Sequence, residues 1–372
     1  MNLSPKISGR WISRLSFSVL MIMGLLWISA SQSFAQQKLS TTIYLDYTYY
    51  LSNQGPITNP QGDPNFKNNF FTFRRAYFRY DNKINDRLSF RLTFDGDYVK
   101  AVDAAGKKDD KFRPFLKHLY FQLTDIIPSS DLKVGLTDTI TFKMAEDRWG
   151  YRSVAKEIMD NYKDVTGKDI DAYSADLGVS LTGKIIRQLR YGVMLTNGAG
   201  YSHPEGDKYK KLMSQIQLIP VAGISIVGYA DYEKQTATAK ALTYKGDLYL
   251  EAIKNLTLGA EYFIYRNDLN VLNDQRYNRA GYSIFGRYVL LPDKLNVFAR
   301  FDRYDPNNKI SQDEINLTIA GLDWALIHSS LRLQPNIWFY HYNDPAKNND
   351  LVFNMTFFYG FLKNLKIRKG EK

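Results

Sequence analysis

Cysteine is absent from the 372 residues. No disulfide can staple the chain, so packing or a hydrogen-bonded ladder must hold it together. Histidine is scarce, with four residues in all: His118, His203, His328 and His341. Without cysteine, and with no two histidines at ligand spacing, the sequence offers no zinc site. No cofactor motif is present, and no serine stands out as activated near any histidine, so no enzyme chemistry is expected. Past residue 35 there is no apolar run of about 18 residues, which excludes a membrane-spanning helix from the remainder of the chain. Acid is missing from the first 35 residues.

That acid-free start has a definite form. Lys6, Arg10 and Arg14 make a basic segment, an apolar stretch runs from Leu15 to about Ile28, and Ser33-Phe34-Ala35 follows. This is the layout of a secretory signal peptide over residues 1–35, cut after Ala35. A retained membrane anchor is the alternative, and its apolar run is shorter than the roughly 20 residues a spanning helix needs. The net charge of +11 includes those three leader cations. An exported chain rarely meets nucleic acid, so the basic balance does not point to it.

What the chain has in plenty is tyrosine and phenylalanine, 27 and 22 residues, and an alternation of period two. The clearest run is Leu88, Phe90, Leu92, Phe94, Gly96 and Tyr98, interleaved with Ser89, Arg91, Thr93, Asp95 and Asp97. Each such segment has one apolar and one charged face. A soluble sandwich alternates in the same way with its apolar face inside. Three features favour lipid outside. The segments run about 10–13 residues, which suits a tilted membrane crossing. Their polar face is rich in Arg, Asp and Glu. Aromatics crowd their ends, as in Tyr47-Thr48-Tyr49-Tyr50 and Phe357-Phe358-Tyr359, like the girdles at membrane interfaces. Mean hydropathy is −0.36. That average cancels between the two faces and does not imply solubility.

Counting segments predicts an all-β fold: a transmembrane antiparallel β-barrel of about sixteen strands, filling residues 36–372 as one domain. The predicted strands are 40–51, 69–81, 87–99, 113–125, 131–140, 173–183, 188–198, 209–221, 223–235, 241–253, 256–267, 279–291, 295–305, 313–325, 330–341 and 350–361. Short turns such as Gly183–Arg187 and Pro292–Lys294 alternate with long polar loops such as Ser52–Asn68 and Asp268–Asn278. Short turns would face the periplasm and long loops the exterior. A basic tail, 362–372, follows the last strand.

The longest connection, Thr141 to Ala172, holds Trp149, Tyr151, Ile158, Met159 and Tyr162, enough apolar surface to pack against something. Ser153–Tyr162 is predicted as a short helix with Ser153 at its N-cap. We expect this third long loop to fold inward and narrow the lumen, with Lys143, Glu146, Asp147, Arg148, Arg152 and Lys156 nearest the path. The alternative places it over the rim. Strand parity sends Arg75, Arg79, Arg91, Asp95 and Asp97 to the lumen. Arg74 then has the wrong parity: it must lie near an interface, snorkel, or mark a bulge.

The stretch Phe73-Arg74-Arg75-Ala76-Tyr77-Phe78 resembles the early Arg-Arg-Ala strand of the phosphate-selective porin O and P family. Glu146-Asp147-Arg148-Trp149-Gly150-Tyr151-Arg152 is similar to the inward-loop region of its relatives. So is Ser174-Ala175-Asp176-Leu177-Gly178, leading into Asn197-Gly198-Ala199-Gly200-Tyr201. The resemblance covers the chain in layout and is sharp only in these stretches. It implies a sixteen-stranded homotrimeric porin in outer-membrane lipid, passing small polar or anionic solutes. For the name-giving members it implies phosphate preference through an arginine ladder and lysines. Arg75, Arg79 and Arg91 can be placed on such a ladder, whereas no lysine can be matched. The family's usual glycine after this strand is replaced by Asp81-Asn82.

Inward bases by parity are Arg75, Arg79, Arg91, Lys133, Arg190, Lys245, Arg287, Arg300 and Arg332. Inward acids are Asp95, Asp97, Asp176, Asp231, Glu233, Asp247, Glu251, Glu261 and Asp302. The two sets balance, so charges paired across the wall compete with an anion ladder as the reading. A plugged structural or adhesive barrel is the alternative function.

Overall fold

The computed structural model describes residues 36–52, 69–98, 101–102, 108–109, 111–162, 170, 173–201, 203–327 and 330–365. Several expectations lie outside the described residues: the leader and its cut after Ala35, the loop 53–68, residues 163–169 and 171–172, the turn at His328-Ser329, and the tail from 366.

Sixteen antiparallel strands close into a barrel. They are β1 (Gln36–Ser52), β2 (Asn69–Lys83), β3 (Leu88–Tyr98), β4 (Phe112–Ile127), β5 (Ser130–Asp138), β6 (Ala175–Ile186), β7 (Leu189–Thr196) and β8 (Lys211–Leu218). The ring continues with β9 (Ile224–Lys234), β10 (Lys240–Leu250), β11 (Leu256–Leu272), β12 (Gln275–Leu291), β13 (Leu295–Asp305), β14 (Ile315–Ile327), β15 (Leu331–Tyr342) and β16 (Asp350–Leu365). Each strand pairs with its neighbours in sequence, and β1 meets β16 from Gln37↔Leu365 to Ser52↔Leu351. Closure leaves no edge strand, although β2 pairs with β3 only from Phe78 to Lys83 and the Ala76 N–H above that stretch donates to the Asp95 carboxylate.

All sixteen predicted strands are present. Two expectations are corrected. Asp268–Asn278 is not a loop: β11 runs on to Leu272 and β12 begins at Gln275. Asn273 and Asp274 turn the chain between them with φ of 49° and 62°. Two successive positive φ values make the tight turn whose twist suits a hairpin. Ser153 does not cap a helix either. The helices of the long connection are α1 (Lys143–Trp149) and α2 (Ile158–Asn161). α1 ends at Gly150, whose φ of 72° lies in the left-handed region that favours glycine.

Two strands carry a single extra residue at loop height. In β2 the register passes from Tyr44↔Arg75 to Leu45↔Phe73 and leaves Arg74 unpaired. In β4 it passes from Thr93↔His118 to Phe94↔Leu116 and leaves Lys117 unpaired. Such bulges bend a strand and re-aim a side chain. Of the three readings of Arg74, the bulge is the one that holds.

Candidate functional site

The long connection turns into the barrel. From Thr139 to Tyr162 its apolar side chains pack against one arc of the wall. Phe142, Trp149, Tyr151, Ile158 and Met159 join Val227 of β9, Tyr249 of β10, Phe263 of β11, Phe285 of β12, Phe298 and Tyr304 of β13, and Leu317 and Ile319 of β14 in one buried cluster. Trp149 stands edge-on to Phe285 and Phe298, with ring centroids 5.4 and 5.8 Å away. These wall residues alternate with outward-facing ones, so the interior of this arc carries a large apolar surface where parity alone would allow water. The inward position of the loop is therefore fixed by packing.

Polar ties fix its height. Arg74 of β2 pairs with Asp46 of β1, Nε to Oδ2 2.5 Å, and donates to the carbonyls of Ser153 and, at 2.9 Å, Val154. Ser153 Oγ lies 2.6 Å from Gln334 Oε1 on β15. Arg300 of β13 donates to the Lys156 carbonyl at 2.6 Å and pairs with Asp302 at 2.7 Å. Tyr162 Oη donates to Asp302 at 3.2 Å. Glu157 faces Lys245 of β10 at 3.9 Å, with Asp247 and Glu261 on the same ammonium at 3.1 and 3.2 Å. Neither Glu157 oxygen accepts a hydrogen bond from a described residue. Burial pushes its carboxyl well above the ordinary carboxylate range. β2 and β10 are eight strands apart in a ring of sixteen, so Ser153–Glu157 ties opposite staves across the bore.

The other side of the loop is charged and internally paired. Lys143 meets Asp147 at 2.5 Å, Arg148 meets Glu251 at 3.1 Å, and Lys156 meets Asp160 at 3.1 Å. Arg152 holds Glu146 at 2.7 Å and Asp160 at 3.0 Å, within electrostatic reach of Arg75 and Tyr77. Beside this face an open cavity of about 700 Å³ is bounded by Lys143, Met144, Asp147 and Arg148 of the loop. Asp131, Thr182, Arg190, Tyr191 and Gln217 bound it on the wall.

The wall residues named from parity fall as follows. Arg75 reaches Asp95 at 3.6 Å and Tyr77 Oη. Arg91 holds Asp81 at 2.5 Å. Arg79 stands near the Tyr77 ring, with no carboxylate in ion-pair distance among the described residues. Asp97 is exposed near the long-loop end. The sequence reading missed Lys117 and the loop-tying part of Arg74. Lys117 is 2% exposed, donates to Ser174 Oγ at 2.6 Å, and lies 3.3 Å over the Tyr201 ring. A signal for both was available. Arg74-Arg75 and Lys117-His118 are polar doublets inside otherwise alternating strands, and a doublet needs a bulge to keep both members off the lipid. His118 turns inward toward Asp138, Nε2 to Oδ1 3.4 Å. No serine is bonded to it among the described residues.

No protein-family model and no curated protein matches the chain. Solved structures do. The anion-selective porin from Comamonas acidovorans is similar with TM-score 0.61 at 11% identity, over 88% of this chain and 100% of that one. OmpF of Salmonella typhi gives 0.60 at 12% identity, over 87% and 97%. The outer membrane channel DcaP of Acinetobacter baumannii gives 0.57 at 11% identity, over 89% and 99%. At such identities the likeness is one of fold: a sixteen-stranded porin barrel.

Proposed function

We propose that this chain is a bacterial outer-membrane porin through which small polar solutes diffuse passively. It would be exported by a signal peptide cut after Ala35, with its short turns in the periplasm. The observation that carries this reading is the division of the lumen. The loop buries the inward face of β9–β14, and beside it an open cavity bounded by Lys143, Asp147 and Arg148 faces β4–β8; on this reading Glu146, Arg152 and Lys156 narrow the same passage.

Anions are favoured over cations only mildly. Arg75, Arg91 and Lys133 each have a carboxylate partner, which argues against a strong phosphate ladder. Arg79 has none within ion-pair distance among the described residues, whereas Lys117 is buried beneath the Tyr201 ring. Cations in a low-dielectric passage lower the barrier for anions. A homotrimer accords with the uncharged aromatic exterior of β1–β4, where Phe71 is 68% exposed. Planar-bilayer recordings of the purified protein test the whole reading. Conductance steps in threes and a weakly anion-preferring reversal potential in a potassium chloride gradient are expected. A cation-preferring sign ends the anion reading, and a silent, correctly folded barrel ends the channel.

A further inference from the structure

The outside of the barrel is uneven at its long-loop end. On β1–β4 the outward residues are aromatic and uncharged: Tyr47 against Phe71 at 4.9 Å, and Phe112 against Tyr98 at 5.3 Å and Phe73 at 5.9 Å. On β9–β11 the same level carries Lys234, Lys240 and Arg266. Lys234 and Lys240 are directly opposite in the β9–β10 register. Like charges so placed repel and cost stability. Among the described residues no carboxylate is in ion-pair distance of either lysine or of Arg266. The nearby acid, Asp268, is engaged by Arg276 at 3.1 Å and by the Lys240 backbone N–H at 3.2 Å. No long loop lies between β9 and β10, because Gln235 and Thr236 donate back to the Ala239 carbonyl in a tight turn.

The surroundings specify the missing counter-charge. Tyr232 and Tyr244 are exposed just below the cations, and the Arg266 guanidinium lies 6.0 Å over the Tyr244 ring. Outward tyrosines mark the level where hydrocarbon gives way to headgroups. Beneath them a groove of about 410 Å³ runs between Ile226, Leu248, Ala260, Tyr262 and Ile284. Its floor is Gly246, where an added Cβ would meet nothing within 4 Å. Lys240 and Gly246 lie roughly 20 Å apart along β10, within the reach of a long acyl chain.

We infer that this rim and groove form a binding site for a phosphate-bearing anionic lipid of the surrounding leaflet. Its phosphate sits among Lys234, Lys240 and Arg266, and an acyl chain lies along the groove. The inference rests on the reading of a membrane-embedded barrel.

Native mass spectrometry of the purified full chain in detergent tests it, with lipid A as the anionic probe and phosphatidylcholine as the zwitterionic one. The wild type should retain lipid A and not phosphatidylcholine. Lys234→Gln/Lys240→Gln/Arg266→Gln should weaken retention roughly a hundredfold, at about a factor of five per cation. Gly246→Trp, which fills the groove and leaves the cations, should weaken it as well. Lys309→Gln/Lys347→Gln, on neighbouring loops, should not. Equal retention by the triple variant, equal loss in the loop variant, or full displacement by inorganic phosphate would overturn the site. Heat-modifiable gel mobility serves as the separate control. If the wild type lacks it, the membrane-barrel reading fails; if it is present with no lipid A adduct, only this inference fails.

Discussion

The two arcs of the barrel interior are built from the same alternating strands and serve opposite ends. Along β9–β15 the inward positions include Tyr249, Phe263, Phe285, Phe298, Tyr304 and Leu317, which the loop buries beside the ionic groups Lys245, Glu261, Arg300 and Asp302. Along β2–β8 they include Arg75, Arg91 and Lys133, each beside a carboxylate, and Arg190, which borders the open cavity. The lesson is that in this barrel the inward parity of a strand does not by itself mean a wet lumen. An inward aromatic row asks for a cover, and the long connection supplies it. The wet path is what the cover leaves behind.

Removing the cover's anchor should have the largest effect. Trp149→Ala opens a void among Phe285, Phe298 and Tyr151 and should cost about 3–5 kcal/mol of docking. Single-channel conductance should rise and the loop should become protease-sensitive, while the barrel keeps its heat-modifiable mobility. Unchanged conductance and protection would erase the distinction between the arcs. Arg74→Ala comes next. It removes the cation from the buried Asp46 carboxylate, leaving Thr356 Oγ1 as its donor, and frees two loop carbonyls. A loss on the order of 2 kcal/mol is expected, read as earlier loop cleavage in a protease titration.

Glu157 sharpens the comparison through pH. Its carboxyl is raised by burial, so the docked loop binds that proton more tightly than an undocked one. Docking is therefore strongest below the ordinary value of 4.5 and weakens as pH climbs through the raised value. Protease protection of the loop should fall with rising pH in the wild type and be flat in Glu157→Gln. A slope that survives the substitution would assign the titration elsewhere. On the β2–β8 arc, Arg79→Gln should leave loop protection alone and move the reversal potential toward zero. At the bottom of the scale is Lys143→Ala. Its pair with Asp147 is half exposed on both sides, so its loss should change loop protection by no more than about 0.5 kcal/mol.

Much of this was legible in the sequence, for a physical reason. Lipid outside and water or side chains inside impose period two on every strand, so the count of sixteen could be read from alternation alone. Turn chemistry was read less well. Asn273-Asp274 is a tight-turn pair, yet the polar residues around it, Asp268 to Asn278, suggested a loop. The Ser153 helix failed because Ser153 spends its hydroxyl on Gln334 and its carbonyl on Arg74, partners from strands that no local pattern reveals. Lys117 was lost to a bulge that shifts parity by one. Arg75, Arg79 and Arg91 were read as inward together with Asp95, which pairs with Arg75, but Asp81, the partner of Arg91, and Asp46, the partner of Arg74, were not, because an ion pair across strands depends on register.

The two bulges carry a consequence for how such a wall can diverge over generations. A point substitution swaps one lumen group for another. A one-codon insertion, as at Arg74 or Lys117, admits a new cation to the bore while the greasy sequence on either side keeps its order and the stave count holds. Lineages of this scaffold can therefore re-letter their passage by small insertions and deletions, which an ungapped comparison of sequences would register only as noise.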